Sequence, residues 1–82
     1  MTTKAYVLIE TAVDFTRNVS SALSLIHEVV QVDPVTGPYD IIAVLSTNDL
    51  DAVGDLVANR IHKIPGISRT VTCLSLAVLD DK

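Results

Sequence analysis

The sequence predicts an α+β fold of the form βαββαβ, an antiparallel four-stranded sheet with both helices on one face. Short apolar, β-branched runs alternate along the chain with segments whose apolar residues recur at helical spacing. The second half repeats the first at a shift of 35 residues, setting Asp14 onto Asp49, Phe15 onto Leu50, Ile26-His27 onto Ile61-His62 and Val32 onto Ile67. Between the halves lies one tight turn, Thr36-Gly37-Pro38-Tyr39-Asp40, which joins the second strand to the third.

The run AYVLIET (residues 5–11) reads as a buried strand. Asp14 is the expected N-cap of the first helix, in which Phe15, Val19, Ala22, Leu23 and Ile26 form the apolar stripe. Arg17, Ser21, Ser24 and Glu28 are left to water, and the helix is expected to run to about His27. VVQVDPVT (29–36) is the second strand, where Pro34 cannot donate to a ladder and so indicates an edge position or a bulge. YDIIAVLST (39–47) is the third. Asn48 is then expected to cap a second helix whose apolar face is Leu50, Val53, Leu56, Val57, Ile61 and Ile64. Asp49 and Asp51 at its start and Arg60 and Lys63 near its end suit the helix dipole, and Pro65-Gly66 stops it. ISRTVTCLSLAV (67–78) is the fourth strand. Two βαβ units joined by a tight turn give the ferredoxin-like sandwich.

At 82 residues the chain reads as one domain, 1–82, and a core this small gains from self-association. Both alternating faces of YVLI, IIAVL and CLSLAV carry apolar residues, whereas a sheet open to water on one side should alternate with polar ones. The sheet is therefore expected to stack on its counterpart in a second subunit as an isologous dimer. The net charge is −4, and six scattered Lys and Arg form no basic stripe, which speaks against nucleic-acid binding by this chain. The single Cys73 rules out an internal disulfide, and no charged-then-apolar leader or membrane-length apolar stretch occurs, so a cytoplasmic location is expected.

Few residues invite a chemical reading. His27 and His62 hold equivalent places at the two helix ends, where the dipole accounts for them. Neither HxxxH nor CxxC occurs, so no metal or other cofactor is expected, and Cys73 reads as a small core residue. Asp49, Asp51 and Asp55 are explained by a helix N-terminus and a wet face. Two features remain. In the turn, Gly37 can take a positive φ and Pro38 fixes its own, so Asp40 is presented at a hairpin mouth; a rigid turn with a capping aspartate is the simpler alternative. In the last strand, Thr70 and Thr72 share a side and form a row of hydroxyls that can face water or a small polar ligand.

Taken together, Gly37-Pro38-Tyr39-Asp40-Ile41-Ile42, Ile64-Pro65-Gly66-Ile67 and Thr70-Val71-Thr72 resemble the effector-binding (RAM) domain of the Lrp/AsnC family of amino-acid-responsive transcriptional regulators, over nearly the whole chain. The resemblance implies a sensor of free amino acids that dimerises through its sheets, often forms rings of dimers and binds its ligand between dimers. Carried onto this sequence, Gly37, Pro38, Tyr39 and Asp40 line one side of the pocket, with Asp40 as acceptor for the ligand ammonium, and Thr70 and Thr72 the other. The chain begins at its first strand, without the family's helix-turn-helix, and so resembles a stand-alone form acting through full-length partner regulators. Two other classes stay open at this point: a small dimeric enzyme of the oxygenase or isomerase type, which would need His27 or His62 turned inward, and a ligand-free assembly subunit.

Overall fold

The computed structural model describes residues 2–76. Its elements are β1 (Thr3–Thr11), α1 (Thr16–Ser24), β2 (Val29–Pro34), β3 (Ile41–Thr47), α2 (Leu50–Leu56), a π-helical segment (Val57–Ile61) that continues α2, and β4 (Ile67–Leu74). The strands form one antiparallel sheet in the order β2-β3-β1-β4. This is the predicted βαββαβ architecture, and Pro34 indeed stands at the end of an edge strand, where a missing N–H breaks no central ladder.

Strand parity decides the core. In β1, Ala5, Val7 and Ile9 are fully buried, and their β3 partners on the same face are Leu45, Ala43 and Ile41, also fully buried. Val19, Leu23 and Ile26 from the α1 side and Val53, Leu56, Val57 and Ile61 from the α2 side close over them. Burying each of the larger aliphatic side chains is worth roughly 1.5–3 kcal/mol, which is what selects this register over one shifted by a residue.

The opposite face of the sheet is apolar as well. Tyr6, Leu8, Ile42, Val44, Val71 and Cys73 lie there by parity, with Gln31 and Asp33 on the β2 side and Glu10 paired with Arg69 at one end. Both helices pack on the other side, so this patch is the face the sequence marks for a second subunit.

Several local expectations change. Asp14 does not cap α1: it adopts φ +70, a conformation short polar residues tolerate, and Phe15 precedes the helix without a side-chain cap. The helix ends at Ser24, so His27 lies in the following turn. Asp49, not Asn48, caps α2, accepting from the Ala52 N–H at 2.9 Å. Cys73 is exposed on the open sheet face, because it pairs with Tyr6 and not with a core residue of β1. Leu50 is 58% exposed, outside the core stripe assigned to it. The fourth strand ends at Leu74, and residues 77 and 78 of its expected span lie outside the described residues.

Phe15 instead packs on Gly66. A Cβ at Gly66 would collide with the Phe15 ring, the glycine has φ +100, and its carbonyl accepts the Ala12 N–H at 2.7 Å. The Pro65-Gly66 stop thus also seats the connection between β1 and α1.

Candidate functional site

The turn between β2 and β3 is held from several directions. The Asp40 N–H donates to the Ile9 carbonyl at 2.8 Å, and the Asp40 carbonyl accepts the Val35 N–H at 2.9 Å. Asp40 Oδ2 accepts the Thr11 N–H at 2.8 Å and the Thr11 hydroxyl at 3.2 Å. Thr11 Oγ1 also meets Thr16 Oγ1 at 2.8 Å, at the first residue of α1. One carboxylate oxygen therefore links the start of β3, the end of β1 and, through Thr11, the start of α1. Gly37 takes φ +131, a backbone state reserved for glycine, although a side chain there would meet open space. Gly37 and Pro38 are exposed, and Tyr39 and Asp40 half-buried.

Tyr39 has a charged neighbour. The Arg69 guanidinium stands 5.4 Å from the centre of its ring, and Arg69 Nε lies 3.3 Å from Glu10 Oε1. Glu10 and Arg69 are cross-strand partners on the open face of the sheet, beside the turn. Their side chains are 44% and 60% exposed, so both charges remain reachable from solvent.

Thr70 and Thr72 point the other way. They pair with Ile9 and Val7, residues of the helix-side face. The Thr70 hydroxyl lies 2.8 Å from His62 Nε2, just after the π-helical segment. Thr72 lines a cleft of about 750 Å³ between α2 and β4, with Leu50, Val53, Gly54, Val57 and Leu74. Within one protomer the six residues singled out in the sequence thus divide: Gly37, Pro38, Tyr39 and Asp40 sit together in the turn, and Thr70 and Thr72 share the helix-side face of β4. The sequence does not single out Thr11, Glu10 or Arg69, and it places His62 only at a helix end, without its contact to Thr70. Strand alternation was signal enough for Arg69, which must face away from Thr70; nothing marks Thr11 as the partner of Asp40, 29 residues later.

A family model, the Lrp/AsnC ligand binding domain, matches residues 4–82. Among solved structures, the protein TTHA0845 from Thermus thermophilus superposes with TM-score 0.88 at 30% identity, over 94% of this chain and 96% of that one. AsnC of E. coli gives TM-score 0.85 at 23% identity, covering 90% of this chain and 50% of its own. The transcriptional regulator NMB0573 of Neisseria meningitidis, solved as a complex with L-Met, gives 0.84 at 15% identity, covering 94% of this chain and 51% of its own. The chain therefore spans about half the length of these two regulators, and at such identities what it shares with them is the fold. No curated protein matches.

Proposed function

We propose that this chain, which belongs to the Lrp/AsnC ligand-binding domain family, is an amino-acid-sensing and oligomerisation module. The observation that carries the reading is the Gly37–Asp40 turn, exposed at its tip and fixed at its base by the Asp40–Thr11 bonds. A binding loop gains affinity when its conformation is set before the ligand arrives, because less ordering entropy opposes binding. The N–H groups of Gly37 and Tyr39 are candidate donors to a ligand carboxylate, whereas Pro38 offers none. The L-Met complex of the Neisseria regulator, a protein of the same fold, supports a free amino acid as the ligand class.

The apolar sheet face of Tyr6, Leu8, Ile42 and Val71 supports assembly: a second copy laid on it as an isologous partner removes that surface from water. Thr70 and Thr72 would then take part only through a pocket that a neighbouring protomer completes. With a net charge of −4, the chain acts on transcription through partner regulators that carry their own DNA-binding parts. A thermal-shift screen against the twenty free L-amino acids tests the reading. A ligand at about a hundred times its Kd adds about 2.7 kcal/mol to the folded state, a clear rise in Tm for a chain this size. Absence of any rise at millimolar concentrations would sink it.

A further inference from the structure

We propose that the Glu10–Arg69 ion pair, backed by the Tyr39 ring, is the element that reads the zwitterion: Arg69 takes the α-carboxylate and Glu10 the α-ammonium. The inference rests on the amino-acid reading above and specifies its chemistry. Free amino acids present two opposite charges a few bonds apart, so their recognition calls for an adjacent cation and anion at the mouth of the site. Three observations place that pair here. The Asp40 oxygen Oδ2 is already engaged by both the N–H and the hydroxyl of Thr11, which commits half of that carboxylate to holding the turn. Thr70 is bonded to His62 on the opposite face of the sheet, away from Arg69. Glu10 and Arg69 stand side by side at the end of the sheet next to the turn, at the edge of the face proposed for the second subunit and both solvent-accessible in the single protomer, with 3.3 Å between Oε1 and Nε.

The geometry favours uptake without prior rupture. Glu10 meets the guanidinium at Nε, and a guanidinium carries five N–H donors in a planar fork that suits a carboxylate. The Tyr39 ring, 5.4 Å from the guanidinium, limits the rotamers Arg69 can sample. Selectivity follows from charge. A ligand lacking its ammonium leaves Glu10 unanswered and adds a second anion beside it, and a ligand lacking its carboxylate does the same to Arg69.

The test uses the twenty L-amino acids, each beside its α-carboxamide and its N-acetyl derivative, in thermal-shift titrations of wild type, Arg69→Gln, Arg69→Lys and Glu10→Gln. Wild type should respond to at least one amino acid, and at least tenfold less to its two derivatives. Arg69→Gln and Glu10→Gln should each lose at least tenfold in affinity, with Arg69→Lys between, since it keeps the charge and loses the fork. All three variants should keep the unliganded Tm, because exposed ion pairs contribute little to folding. Should Arg69→Gln fail to fold, Arg69→Lys and Glu10→Gln still decide. Undiminished binding in the variants overturns this assignment and leaves the amino-acid reading standing. A wild type that responds to no amino acid removes both.

Discussion

Asp40, a candidate ligand-binding group in the sequence, also fastens the fold. Its carboxylate sits at the mouth of a hairpin, yet Oδ2 bonds twice to Thr11. Hydrogen bonds to a charged group are worth roughly 1.5–3 kcal/mol, so Asp40→Ala should lower stability by about that much in urea unfolding, with or without ligand. An unchanged midpoint would contradict the role given to Thr11. Glycines make a second contrast at this scale. Gly66→Ala meets both φ +100 and the Phe15 ring, and should cost at least about 2 kcal/mol. Gly54→Ala, in a helix with open space around it, should stabilise by about 0.5–1 kcal/mol. The same substitution is thus expected to change sign between two positions 12 residues apart, and equal effects would show that neither environment is as described.

Elements were more legible than their ends. Hydrophobic periodicity located both helices and all four strands, because Val19, Leu23, Val53, Leu56 and Ile61 must face the sheet whatever the turns do. Caps were less legible because neighbouring residues compete for the role: Asn48 and Asp49 are both good caps, and Thr47 takes part by donating its hydroxyl to the Asp49 carbonyl at 2.9 Å. The π-helical turn had no signal in VANRI, although the His62 N–H bond to the Val57 carbonyl, five residues back, accompanies the contact of His62 with Thr70. Half of the candidate site was readable for a similar reason. The TGPYD turn is contiguous, so its chemistry shows in one stretch of sequence; the Glu10–Arg69 pair, 59 residues apart, exists only once β1 and β4 are in register. If the His62 contact ties the end of the π-helical segment to β4, Thr70→Val should remove about 0.5–1.5 kcal/mol, the usual worth of one partly exposed hydrogen bond, without weakening amino-acid binding. A matching loss of affinity would return Thr70 to the binding site.

At the scale of the whole molecule, the sheet has one face filled by helices and another that is apolar, where Val44 is buried, Leu8 and Ile42 are half-buried and Val71 is exposed. The proposed association through that face would explain why Leu8, Ile42 and Val71 are aliphatic where a solvated sheet would alternate. Sedimentation velocity at micromolar concentration should find dimers or larger assemblies, and Val71→Asp should shift them towards monomer while far-UV circular dichroism stays unchanged. A wild type that sediments as a folded monomer would leave the aliphatic face unexplained. The proposed assembly and sensing surfaces meet at the turn, which lies beside Glu10 and Arg69. Whether a free amino acid binds there is read most directly from a ¹H–¹⁵N correlation titration of the protein with the amino acid that gives the largest thermal shift. Perturbations should concentrate at the amides of Glu10, Thr11, Gly37, Tyr39, Asp40 and Arg69; perturbations confined to the α2–β4 cleft around Gly54 and Thr72, or none at saturating ligand, would rule out binding at the turn.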